Sequence, residues 1–201
     1  MAHDIIISHL YKSYDGKPVL EDVSLRFEAG IVTAICAPSG KGKTTLLRIL
    51  TGLEKPDSGE ITGVPEGTVI AYQFQEPRLF PSVSVLDNVM LVLHGKRNDI
   101  RARALSMLSA LGITEDDAEK RPQALSGGMR QRAAAARLLL FAQETEAPLI
   151  LLDEPFQGLD DERKRSVIAL FKKVLSGKTV LFVTHDETEI EAFAAASCHL
   201  A

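Results

Sequence analysis

The sequence predicts an α/β fold built around a phosphate-binding loop, and two stretches carry that prediction. Ile31-Val32-Thr33-Ala34-Ile35-Cys36 is a short, β-branched, apolar run of buried-strand type, and Thr44-Thr45-Leu46-Leu47-Arg48-Ile49-Leu50 continues with the apolar spacing of a helix. A glycine-bearing loop therefore joins strand to helix. Far downstream, Pro148-Leu149-Ile150-Leu151-Leu152 is a second apolar strand ending on the carboxylates Asp153 and Glu154. A parallel strand beside the first is the natural home for such a pair.

The other elements fall into place around these. Residues 3 to 30 alternate apolar and polar side chains about Asp15-Gly16-Lys17-Pro18, which reads as a hairpin, and the segment Ile61 to Gln73 is expected to join it in a small antiparallel sheet. Residues 85 to 129 hold helical patterns, Ile100 to Leu111 among them, and no clear strand. A helix is expected from Met129 to Leu140 and another from Arg163 to Leu175, with a strand, Thr179 to Thr184, after it. The Arg163–Leu175 helix sets basic residues against Val167, Ile168, Leu170, Phe171, Val174 and Leu175, a face that suits core packing or, alternatively, membrane contact. No internal repeat or low-complexity linker interrupts the chain.

The loop Ala37-Pro38-Ser39-Gly40-Lys41-Gly42-Lys43-Thr44-Thr45 has the physics of an anion cradle. Gly40 and Gly42 let backbone N–H groups turn inward, and the helix N-terminus adds partial positive charge beneath them. Lys43 is placed to reach the β- and γ-phosphates of a nucleotide, and the Thr44 hydroxyl to help hold Mg²⁺. The pattern G-x-x-x-x-G-K-[ST] has glycine where this chain has Ala37; a Cβ is tolerated there if φ is negative. Asp153 is the candidate ligand to Mg²⁺ through water, and Glu154 the group that polarises the attacking water. An ordinary glycine-rich turn and a solvated strand end are the plain alternatives.

Residues 125 to 132, Leu125-Ser126-Gly127-Gly128-Met129-Arg130-Gln131-Arg132, add an element of a different kind. Ser126, Gly127 and Gly128 stand at the start of a helix, where exposed N–H groups and the helix dipole favour an anion. With the phosphate loop upstream, this LSGG-type element resembles the signature of the ATP-binding cassette (ABC) ATPases, and the resemblance covers nearly the whole chain. It implies a P-loop NTPase core with an antiparallel β subdomain and an inserted helical subdomain at about 85–129, all within one domain of residues 1–201. It also implies that Ser126, Gly127 and Gly128 face the γ-phosphate held by the opposite subunit, so that ATP joins head-to-tail copies. Gln75, in Tyr72-Gln73-Phe74-Gln75-Glu76-Pro77, matches the glutamine that touches Mg²⁺ and the lytic water. His185 matches the switch histidine at the γ-phosphate, and Gln157-Gly158-Leu159-Asp160 the loop that helps fix the dimer. Tyr14 matches the residue that stacks on adenine, or else is a core tyrosine of the hairpin. Met129 replaces the commoner glutamine.

Glu154-Pro155-Phe156, and Gln75 through Pro81 leading into Val85-Leu86-Asp87-Asn88-Val89, most resemble ATPases of nitrate, sulfonate and taurine importers. That implies three kinds of partner: a second ATPase subunit, a membrane permease and, indirectly, a solute-binding protein. Leu79 and Phe80 suit a groove for a short coupling helix of the permease, or tuck into the core of a proline-bounded loop. The short stretch after His185 implies a motor without a C-terminal regulatory domain. A soluble ABC ATPase of DNA repair or translation and a nucleotide-gated interaction protein are the alternatives. The first normally adds coiled-coil or basic insertions, and the retained Glu154 and His185 speak against the second.

Composition sets outer limits. A chain of 201 residues, 45% of them hydrophobic, can bury one sizeable α/β core. A formal charge of −4, from 23 basic and 27 acidic side chains, argues against a nucleic-acid partner. No apolar stretch is long enough to span a bilayer and the start does not read as a signal peptide, so a soluble, cytoplasmic protein is expected; the resemblance to importer ATPases implies that it lies on the inner face of the cell membrane. Cys36 and Cys198 are expected to form neither a disulfide nor a metal cluster.

Overall fold

The computed structural model describes residues 3–38 and 40–200. In chain order the elements begin with strands β1 (Ile5–Tyr14), β2 (Lys17–Phe27) and β3 (Val32–Cys36), helix α1 (Lys43–Leu50), and strands β4 (Ser58–Thr62) and β5 (Ile70–Gln73). Helices α2 (Val85–Met90), α3 (Arg97–Ala110), α4 (Glu115–Ala118) and α5 (Gly127–Glu144) follow, with a 3₁₀ turn at Pro122–Ala124. Then come β6 (Leu149–Asp153), α6 (Asp161–Val174), β7 (Thr179–Thr184), α7 (Glu187–Phe193) and β8 (Ala196–His199). The chain divides into two compact units, one of Met1–Tyr72, Pro148–Asp153 and Gly177–Ala201, the other of Gln73–Ala147 and Glu154–Ser176.

The first unit contains two sheets. Antiparallel β2-β1-β4 begins from the Asp15-Gly16 turn, whose φ values of 50° and 74° are the left-handed geometry that suits the right-handed twist of a two-residue hairpin. Strand β1 buries Ile5 and Ile7 and then Leu10, a change of phase that a period of two cannot make unaided. The change falls at a register shift where His9 takes φ 48°, and on β2 Asp22 takes φ 51° between the buried Leu20 and Val23. These bulges keep one apolar face inward along two bent strands.

The second sheet runs β5-β6-β7-β3-β8, with β6–β7, β7–β3 and β3–β8 parallel. Strands β6 and β7 are buried at every residue, as expected of central parallel strands. Ile35, Leu46, Leu47, Leu151, Leu181 and Val183 share one apolar cluster with Ile7, Leu20 and Phe27 of the antiparallel sheet. The expectation for Ile61–Gln73 needs correction. Only β4 joins the hairpin, while β5 pairs into the parallel sheet at its edge.

The second unit is helical. Ser84 caps α2 by accepting from Asp87 N–H, and Thr114 caps α4 in the same way from Asp117. The middle of α5 is nearly all core, burying Ala133 to Ala136, Leu138 to Leu140 and Ala142. Val167, Ile168, Phe171 and Leu175 are buried, with Phe171 edge-on to Phe156 at 5.4 Å, so the apolar face of α6 is a packing face. Helices α5 and α6 start two residues before their expected positions. Among the described residues no helix is long and apolar enough to cross a membrane.

Candidate nucleotide site

In the first unit, β3 delivers the chain into the loop at residues 37–42. Gly40 and Gly42 both have φ 81°, and Gly42 is the residue before α1. Glycine is required at 42 on two counts, since an added Cβ would lie 2.6 Å from Leu20 Cδ2 and 2.8 Å from the Val19 carbonyl. The first turn of α1 itself carries no acidic side chain. Lys43 is buried and its ammonium donates to the carbonyls of Ala37 and, at 3.0 Å, Pro38. Thr44 Oγ1 donates to Asp153 Oδ2 at 2.7 Å, and Asp153 is only 2% exposed. Lys41 is exposed and Thr45 half-buried; Ser39 lies outside the described residues.

Ala37 is half-buried against the apolar cluster and is not among the described non-glycine residues with positive φ. An L-residue therefore fits there without strain. Ala37→Gly is expected to leave ATP affinity nearly unchanged and to lower stability by about 0.4–1 kcal/mol, because the unfolded chain gains freedom. Thermal unfolding with and without Mg-ATP checks this; a higher midpoint without nucleotide, or a clearly larger nucleotide-induced shift in the glycine variant, would contradict it.

His185 is exposed directly after β7, on a turn fixed from both sides. Thr184 Oγ1 donates to Glu189 Oε2 at 2.6 Å and accepts from Asp186 N–H at 3.1 Å, while Asp186 caps α7 through Thr188 N–H. Glu189, 4% exposed, belongs to none of the sequence motifs. Its only local signal is a carboxylate at a position otherwise suited to burial. Tyr14 ends β1 and is 39% exposed, which removes the core-tyrosine alternative; the Lys12 ammonium lies 5.2 Å from its ring centroid.

In the second unit, Gln75 Nε2 donates to Glu154 Oε2 at 3.3 Å. Glu154 has φ 49°, a left-handed conformation that costs a non-glycine residue on the order of 1–3 kcal/mol and persists where surroundings impose it. Ser126 is the N-cap of α5 and accepts from Met129 N–H at 3.3 Å. Ser126 and Gly127 are exposed at a helix start that again has no acidic residue. A Cβ on Gly128 would come into van der Waals contact with the Gly158 carbonyl at 3.4 Å, so the 157–160 loop packs beside this helix start. Asp160 caps α6 by accepting from Arg163 N–H, which holds its carboxyl below the usual carboxylate range. Leu79 is half-buried and Phe80 is 57% exposed, its backbone N–H and C=O both bonded to the buried Asn88 side chain. The alternative in which Phe80 tucks into the core is thereby corrected.

A strand, a glycine-bent loop closed by its own lysine and a helix, beside a strand ending on a buried aspartate, define a nucleotide-binding protein of P-loop class. The chain belongs to the ABC transporter family, whose profile matches residues 20–157. It is 42% identical to an aliphatic sulfonates import ATP-binding protein of Nocardia farcinica, over 92% of this chain and 73% of that protein. It is 38% identical to a Fe(3+) ions import ATP-binding protein of Pseudomonas fluorescens, over 92% of this chain but only 55% of the relative's length. Among solved structures, the ATP-binding cassette MJ0796, described as dimeric, superposes with a TM-score of 0.85 at 32% identity, covering 98% of this chain and 94% of that one. The same cassette in a post-hydrolysis state bound to ADP and Pi gives 0.84 at 31% identity with the same coverage. The fold is that of an ABC ATPase cassette.

Proposed function

We propose that this chain is the ATP-binding and ATP-hydrolysing motor subunit of an ABC importer, driving solute uptake through a separate membrane permease. The observation that carries the reading is the Thr44 hydroxyl 2.7 Å from the buried Asp153 carboxylate, at the end of a loop bent for an anion, in a chain whose relatives are import ATP-binding proteins. Two hard oxygen groups so close suit Mg²⁺, which keeps waters and substrate phosphate oxygens in its shell rather than an all-protein cage. Thr44, Asp153 and Gln75 would hold that ion, and it would supply charge neutralisation across the β- and γ-phosphates.

The chain's own groups supply the rest. Residues 37 to 45 receive the phosphates, Lys43 exchanging its carbonyl partners for phosphate oxygens. Tyr14 presents an exposed ring to adenine. Glu154 accepts hydrogen bonding from the water that attacks the γ-phosphorus, with Gln75 orienting it, and His185 contacts the γ-phosphate. Ser126, Gly127 and Gly128 serve the nucleotide of a second ATPase subunit. The permease, a solute-binding protein acting through it, and a place on the inner face of the membrane complete the proposal. The relatives' names include both aliphatic sulfonates and ferric ions, which fits solute choice made by other chains.

The test is ATP hydrolysis by the purified chain, together with recovery of a permease when the chain is purified from solubilised membranes. Phe80, with Leu91 also 62% exposed, gives the second arm. Phe80→Ser is expected to leave ATP binding by the isolated subunit nearly intact and to weaken assembly with the permease. A variant that unfolds readily yet assembles normally where folded would remove Phe80 from the docking surface.

A further inference from the structure

Arg137 lies within α5 and none of the roles above uses it. Its guanidinium is half-buried and, among the described residues, has no ion-pair partner; burial lowers its basicity with no neighbouring charge to offset the effect. Holding an arginine in that state is costly unless its hydrogen bonds do something useful. Here Nη2 donates to the carbonyls of Pro77, at 3.1 Å, and Arg78, at 3.0 Å. Such charge-assisted bonds are roughly twice as strong as neutral ones.

The two carbonyls belong to a short segment that is constrained throughout. Arg78 takes φ 44° and lays its own guanidinium 3.7 Å from the centre of the Phe74 ring, closing a loop that contains Gln75. The Gln75 side chain leaves this loop to donate to Glu154. A non-glycine residue at positive φ needs external support, and the bonds on either side of Arg78 supply it.

We propose that Arg137 is a positioning residue that fixes Pro77 and Arg78 to α5 and, through them, holds the Gln75 amide on Glu154. The inference rests on the ATPase reading given above. Because Ser126 caps the same helix, any displacement of α5 would carry the Gln75 loop with it, linking the element offered to the opposite subunit's nucleotide to the element that orients the local water.

The test is a double-mutant cycle in the full chain, using Arg137→Met, Gln75→Ala and the pair. Arg137→Met is expected to lower kcat about tenfold with KM for ATP changed by less than about twofold, the signature of an interaction that matters in the transition state. In the Gln75→Ala background it should cost almost nothing further, since groups acting as one unit are non-additive. Arg137→Lys should recover part of the rate. Hydrogen exchange should quicken across residues 74–80 in Arg137→Met and stay unchanged across β3 and α1; a residue that merely supports the fold would loosen both. If Arg137→Met does not fold, Arg137→Gln takes its place in the cycle. Additive losses, or a raised KM with unchanged kcat, would overturn the inference while leaving the ATPase intact. A wild-type chain without ATPase activity, or a Glu154→Gln variant as active as the parent, would instead overturn the proposed function and this inference with it.

Discussion

Glu154→Gln is expected to bind ATP as tightly as the parent, to hydrolyse it at least about 100-fold more slowly, and to remain dimeric in ATP. The side chain keeps its length, and an amide oxygen still accepts from Gln75 Nε2, now 3.3 Å from Glu154 Oε2. What is lost is the negative charge that draws a proton from the attacking water. The left-handed backbone at Glu154 sharpens the expectation. Surroundings that hold residue 154 at φ 49° fix where its side chain starts, so glutamine enters the same position and the comparison isolates charge. Single-turnover hydrolysis, nucleotide binding and size-exclusion chromatography in ATP give the three readouts. Turnover at the parent rate would remove Glu154 from the catalytic role, and slow turnover with a monomer in ATP would separate hydrolysis from dimer opening.

How far the sequence was legible depended on how local each signal is. The Asp15-Gly16 hairpin, the loop with Gly40, Gly42 and Lys43, and the strands Val32–Cys36 and Thr179–Thr184 are written in adjacent residues. Each depends on turn chemistry or an unbroken apolar run. The sheet to which Ile70–Gln73 belongs is a matter of non-local pairing, and a four-residue strand carries too little pattern to choose between the two sheets. The bulge at His9 is silent for a similar reason, because the step from Ile7 to Leu10 reads as noise in an alternating pattern until β2 supplies the register. Exact helix starts are written in the cap residues rather than in the apolar spacing. Ser126 and Asp160 are N-cap residue types standing immediately before Gly127 and Asp161, where α5 and α6 begin. At the site, motif residues could be picked out because their spacing is short. Arg137 could not, since its role is defined by carbonyls some 60 positions away in the chain, and Glu189, though only five residues from Thr184, belongs to no motif and is marked out only by its burial.

Mixing two inactive variants is expected to restore hydrolysis. Lys43→Ala removes the cation that now donates to the loop carbonyls of Ala37 and Pro38 and is proposed to exchange them for phosphate oxygens. Ser126→Arg sets a long side chain at an exposed helix start where Ser126 Oγ accepts from Met129 N–H, blocking approach and removing the cap, at a cost of about 1 kcal/mol to the helix. Each homodimer then carries the same lesion at both of its sites. In a mixed dimer, the Ser126→Arg chain contributes an intact phosphate loop and the Lys43→Ala chain an intact signature element, so one composite site is wild-type and the other has both lesions. Partial activity therefore appears only if the two elements act on one nucleotide from different chains. If Ser126 instead served the nucleotide of its own subunit, every site in every dimer would hold one lesion and the mixture would stay as inactive as its components. Differently tagged chains, purified in tandem to establish that mixed dimers are present, make the comparison decisive. Absence of recovery in such dimers would overturn the shared-site arrangement while leaving the roles of Lys43 and Glu154 standing.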